Sequence, residues 1–133
     1  MVLPITALYG GLLTLVLLWL SFGAGAMRGK TGISIGDGGN VALLEKIRRH
    51  GNAVEYVPMA IILIGILEAN GANSWFLHGL GLVLLLSRIA HPLGLKADNM
   101  GHPLRAVGSG GTALMMVVGA GYAIWQYVTA MTA

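Results

Sequence analysis

Residues 48–67 read Arg48-Arg49-His50-Gly51-Asn52-Ala53-Val54-Glu55-Tyr56-Val57-Pro58-Met59-Ala60-Ile61-Ile62-Leu63-Ile64-Gly65-Ile66-Leu67. The second half is an apolar run of membrane type. The first half places a cation, an amide and a carboxylate at its mouth. Arg48, Asn52 and Glu55 stand at i, i+4 and i+7, so on a helix they share one face. Ionisable groups are costly to carry into hydrocarbon, and one found there reads as a functional site with a partner. Arg49 alone reads differently, as a juxtamembrane anchor whose charge snorkels to the headgroups. Anchoring does not account for Glu55, which anionic headgroups repel. The stretch therefore implies a helical membrane bundle with chemistry at one end.

Composition agrees. The 133 residues are 56% hydrophobic and only 10% charged, with mean hydropathy +0.77. Soluble domains carry about a quarter charged residues. The chain is short enough for one domain, residues 1–133, and it reads as an all-α integral membrane protein. It has no cysteine, which excludes disulfides, thiolate metal sites and a cysteine nucleophile. Any thiol chemistry must bring its sulfur on a substrate. The net charge of +3 does not suggest nucleic acid, because no basic, aromatic-interleaved patch lies outside the apolar segments.

Four spans are expected, at about residues 4–27, 41–69, 74–93 and 104–128. The first carries no charge before Arg28, opens on Pro4, which suits a first helical turn, and is long enough to cross about 30 Å of hydrocarbon. No basic residue precedes it and it exceeds a signal h-region, so it reads as a mature span. Residues 28–40 read as a Gly-rich polar loop, with Asp37 or Asn40 capping the next helix. Gly29-Lys30-Thr31 lacks the upstream glycine of a phosphate-binding loop. In the second span Pro58 is expected to kink the helix, and Glu68 to reach water at its far end. Asn73 or Ser74 caps the third span, and His78 is expected to be only interfacial. Residues 94–103 form another polar loop. The fourth span is rich in Gly and Ala, which suits close helix packing.

The eight Lys and Arg residues are Arg28, Lys30, Lys46, Arg48, Arg49, Arg88, Lys96 and Arg105. All belong to the first and third connections or the helix ends beside them. Four alternating helices put those connections on one side, which the distribution of positive charge assigns to the cytoplasm, with the termini opposite.

That side collects Arg28, Arg48, Asn52, Glu55, Arg88, His91 and Arg105 from four helices. Glu55 is expected to lie deepest and to be met by guanidinium groups. Arginines outnumber carboxylates there, which suggests a small amphoteric ligand with more than one carboxylate. Arginine grips carboxylates bidentately, and Glu55 could hold an ammonium group. Arg105 lies in a helix first turn, unfavourable against the dipole unless an anion is near, so it is the candidate for stabilising a thiolate. No His/Asp/Glu spacing suggests a metal site.

Arg48-x3-Asn52-x2-Glu55-Tyr56-x-Pro58 at the head of a second span resembles the signature of the MAPEG superfamily, the membrane-associated proteins in eicosanoid and glutathione metabolism. Arg88-Ile89-Ala90-His91 and Pro103-Leu104-Arg105 are similar to that family's later motifs. The likeness spans the chain and is closest to the bacterial branch. It implies a four-helix protomer, a homotrimer in membrane lipid, and glutathione as co-substrate between subunits. It implies Arg28, Arg48, Asn52, Glu55, Tyr56 and His91 as glutathione or substrate contacts and Arg105 as the residue that activates the thiol; Arg88 joins the binding set as a further guanidinium on the same side. The activity implied is a glutathione-dependent transferase or peroxidase acting on a small hydrophobic electrophile, in a bacterial inner membrane. A departure is that no tyrosine stands between Tyr56 and Tyr122, where eicosanoid-forming members carry several; Leu95, Ala106 and Ser109 occupy that neighbourhood. The alternative is a non-catalytic binding or scaffold protein that keeps the fold. A transport path is disfavoured, because the polar residues cluster at one end.

Overall fold

A computed structural model describes residues 2–132; the first and last residues of the expected domain lie outside the described residues. Four helices follow one another: α1 Pro4–Thr31, α2 Val41–Ala69, α3 Ser74–Gly94 and α4 Pro103–Thr132. Each is long and apolar enough to cross a membrane, and the protein is an all-α integral membrane bundle. At 1.5 Å per residue even the shortest, α3, spans about 30 Å.

The helix ends depart from the sequence expectation in two places. Residues 28–31, expected in a loop, are the last turn of α1. Arg28 and Lys30 lie at the negative end of the helix dipole, and Gly32, at φ 68°, supplies a left-handed cap whose N–H donates to the Arg28 carbonyl. Those contributions outweigh the roughly 1 kcal/mol penalty of one interior glycine. At the other end of the chain α4 continues beyond residue 128, with the Thr129 and Thr132 hydroxyls donating back to carbonyls three and four residues earlier. Asn40 caps α2 by accepting from Leu43 N–H at 3.0 Å, and Asn73 caps α3 through Trp75 and Phe76 N–H. Asp37 instead folds its loop by accepting from Gly39 N–H. α2 is continuous through Pro58.

α2 and α3 form the middle of the bundle; α1 packs on both, α4 packs on both, and among the described residues the α1 and α4 backbones make no close approach. The core is built from one stripe per helix at helical spacing: Tyr9 and Leu13, Ala60, Ile64 and Leu67, Leu80 and Leu84, and Met115. Leu15, Phe22, Ile62, Leu86, Val117 and Ile124 point outward, as a lipid-facing surface requires.

Glu68 stays partly exposed at the far end of α2, as expected, and its carboxylate also accepts from Ile5 N–H at 2.9 Å, Thr6 N–H at 2.7 Å and the Thr6 hydroxyl at 2.6 Å. The α1 cap residue, Leu3, has no capping side chain, so α2 supplies the anion that the α1 N-terminus lacks. At the same end, the Tyr9 hydroxyl donates to the His78 carbonyl at 3.1 Å and lies 3.2 Å from its Nδ1, so His78 is tied into the bundle. The opposite end carries the first and third connections, and the site.

Candidate functional site

Two cavities open between α2 and α4 and share Asn52 and Ser109. The larger, about 320 Å³, is lined by Arg48, His91, Lys96 and Arg105 among others. The smaller, about 200 Å³, is lined by Tyr56, Arg88 and Thr112. Together they form one groove, cationic at its mouth and hydroxyl-lined deeper in. It is large enough for a small molecule.

Arg88 is the innermost charge. It is 1% exposed, and its guanidinium donates to Asn52 Oδ1 and to the Gly108 carbonyl, both at 2.9 Å. The Tyr56 ring centre lies 5.7 Å from its Cζ. Among the described residues its Nε has no hydrogen-bond partner. Among the described residues no carboxylate lies within 4.0 Å of Arg88 or Arg105. Gly108 makes this arrangement possible. A Cβ there would fall on the His91 backbone, so only glycine lets α4 approach α3 closely enough for Arg88 to reach its carbonyl. His91, packed against Gly108, is buried and lines the larger cavity.

Glu55 is placed otherwise than expected. It is not the deepest charge: its carboxylate meets Arg48 of the same helix at 3.6 Å, and the two side chains are 53% and 54% exposed on the protomer surface. Helix geometry gives the reason. At about 100° per residue, Asn52 turns roughly 40° one way from Arg48 and Glu55 roughly 20° the other way. Asn52 therefore points toward α3 and Glu55 away from it. Arg28 is also elsewhere. Its Nη1 donates to the carbonyls of Ile33 and Gly36, where it orders the first connection, and it does not line the groove. Of the eight candidates, Arg48, Asn52, Tyr56, Arg88, His91 and Arg105 meet in the groove of one protomer; Glu55 reaches its edge through Arg48, and Arg28 stands apart.

Ser109 and Thr112 line the groove without having been singled out. The signal was present: Arg105, Ser109 and Thr112 stand at i, i+4 and i+7, the same stripe spacing as Arg48, Asn52 and Glu55 on the facing helix. Among the described residues no cluster of three or more His, Asp or Glu forms a metal site.

The family model described as MAPEG family matches residues 6–125, nearly the whole chain and all four helices. The chain belongs to the MAPEG family. The Inner membrane protein YecN of Escherichia coli strain K12 is 44% identical over 90 residues, covering 68% of this chain and 69% of that protein; the counterpart from a second Escherichia coli strain aligns identically. No solved structure matches. For this MAPEG chain the family-like motifs and the groove coincide at Arg48, Asn52, Tyr56, Arg88, His91 and Arg105.

Proposed function

We propose that this protein is a glutathione-dependent membrane enzyme, a transferase or peroxidase acting on hydrophobic electrophiles that enter from the bilayer. The observation that carries the reading is the α2/α4 groove, in which Arg48, Lys96 and Arg105 line a cavity of about 320 Å³ beside a buried, carboxylate-free Arg88. A surplus of cations over carboxylates in a concave site suits a small polyanionic ligand. Arg48 grips a carboxylate of glutathione, Asn52 and Tyr56 bond its peptide, and the outward carboxylate of Glu55 receives the ammonium. His91 packs beside the ligand. Arg88 acts from behind, holding Asn52 in place.

Arg105 stabilises the thiolate. The thiol releases its proton to water, and a guanidinium lowers the free energy of the resulting anion. The sulfur electron pair then forms the new bond to the electrophilic carbon as the leaving group departs with its electrons, or attacks a hydroperoxide oxygen and expels an alkoxide that water protonates. The protein works as a homotrimer in a bacterial inner membrane with its cationic connections in the cytoplasm. The outward placement of Glu55 supports this, since a charged pair exposed on the protomer surface of a membrane helix suits a contact with a neighbouring subunit.

The test is turnover of glutathione with an aryl halide and with an alkyl hydroperoxide, alongside the ultraviolet thiolate absorbance of bound glutathione. Wild type should show both. Arg105→Ala should keep ligand binding within a few-fold but lose the thiolate signal and at least about tenfold in rate, the equivalent of one lost charge contact at about 1.4 kcal/mol. An Arg105→Ala variant as fast as wild type would refute the mechanism. The second reading, a binding protein without turnover, is favoured by the absence of any tyrosine between Tyr56 and Tyr122. Saturable binding with no turnover of either electrophile would select it.

A further inference from the structure

The connection between α3 and α4, residues 95–102, forms one wall of the groove, and a short polar loop of this kind would ordinarily be mobile. It is fastened in three ways. Arg49 donates through Nε and Nη2 to the Leu95 carbonyl at 3.0 and 2.8 Å. Its Nη2 also meets Glu45 Oε2 at 3.1 Å, while Glu45 Oε1 accepts Ala97 N–H at 2.8 Å. Lys96 pairs through its backbone with Asn99. The Arg49 and Glu45 side chains are only 18% and 22% exposed, so solvent screens this pair less than a surface ion pair. Arg49 is therefore no simple headgroup anchor.

Between the two clamped positions stands Lys96. It lines the larger cavity with Arg48 and Arg105, and among the described residues no carboxylate lies within 4.0 Å of it. The charge count is informative. Arg48 meets Glu55 only across an exposed 3.6 Å contact, so Arg48, Lys96 and Arg105 are all open to an anionic ligand at the mouth. With Arg105 assigned above to the thiolate, a ligand with one acidic group would need only Arg48 and would leave Lys96 idle.

We propose that Glu45 and Arg49 form a clasp that positions residues 95–97, and that Lys96 is thereby the specificity-determining residue that selects ligands carrying two carboxylates. The proposal rests on the glutathione reading above. With Arg48 and Lys96 each facing a carboxylate, Arg105 is left for the sulfur.

The test uses the full chain in lipid nanodiscs, titrated calorimetrically with glutathione and with its diester, which lacks both carboxylates. Wild type should prefer glutathione by roughly a hundredfold, about tenfold per charged contact. Lys96→Gln should cut that preference to roughly tenfold, and Lys96→Arg should restore it. Arg49→Gln should also reduce the preference and should speed hydrogen exchange at the Ala97 amide, which Lys96→Gln leaves unchanged. Undiminished preference in Lys96→Gln overturns the Lys96 assignment alone. Unchanged Ala97 exchange and preference in Arg49→Gln overturns the clasp. A wild type that binds neither compound overturns the glutathione reading, and the specificity role falls with it.

Discussion

The bond between Arg88 and Asn52 offers the sharpest energetic test of how the groove is built. Arg88 has two hydrogen-bond acceptors, Asn52 Oδ1 and the Gly108 carbonyl, each at 2.9 Å, and is almost wholly buried. A hydrogen bond to a charged group contributes about 1.5–3 kcal/mol, and stranding the buried partner puts the loss toward the top of that range. Asn52→Leu should therefore destabilise by about 2–3 kcal/mol. Arg88→Met removes the charge itself. The Gly108 carbonyl would still accept from the Thr112 hydroxyl at 2.9 Å, and Asn52 would face the cavity. Its cost should lie below that of Asn52→Leu, because removing the charge itself leaves no buried ion short of a partner. In the Arg88→Met background Asn52→Leu should then cost little. The double-mutant cycle, read from reversible unfolding of the four proteins in mixed micelles, should return a coupling energy of about 1.5–3 kcal/mol. Additivity within about 0.5 kcal/mol would mean that the two groups do not interact, and that Arg88 does not hold Asn52 for a ligand.

Other outcomes follow from the same geometry. Gly108→Ala drives a Cβ into the His91 backbone and should destabilise by about 1–3 kcal/mol, with weakened ligand binding because α3 and α4 must part; unfolding in mixed micelles checks the first and titration the second. Glu68→Gln removes the charge that caps α1 from α2 and should cost about 1 kcal/mol, with faster hydrogen exchange confined to the amides of Ile5, Thr6 and their neighbours. Asn73→Ala should lose about 1 kcal/mol through the α3 cap, measured by the same unfolding experiment, without altering the groove.

The four helices were legible because apolar runs of membrane length are the strongest signal a sequence carries, and the caps at Asn40 and Asn73 followed from local chemistry. The groove was legible in part. Stripe spacing put Arg48 and Asn52 together, and helix order brought Arg88, His91 and Arg105 beside them. What sequence could not show was tertiary reach. Glu68 serves a helix start 62 residues away in sequence, and Arg49 serves a carbonyl 46 residues away; neither partner is marked by any local pattern. Glu55 was misplaced because a shared stripe does not fix depth, and a few tens of degrees decide which side chain turns inward. The end of α1 was missed because glycine content was weighed without the dipole and the Gly32 cap.

The central claim is that the groove between α2 and α4 holds glutathione, and equilibrium dialysis of radiolabelled glutathione against the protein in nanodiscs tests it most directly. Wild type should bind saturably below millimolar concentration, and Arg48→Ala should weaken that binding roughly tenfold, one charge-assisted contact's worth. No saturable uptake at several-fold higher concentration, or uptake that Arg48→Ala leaves unchanged, would contradict the account.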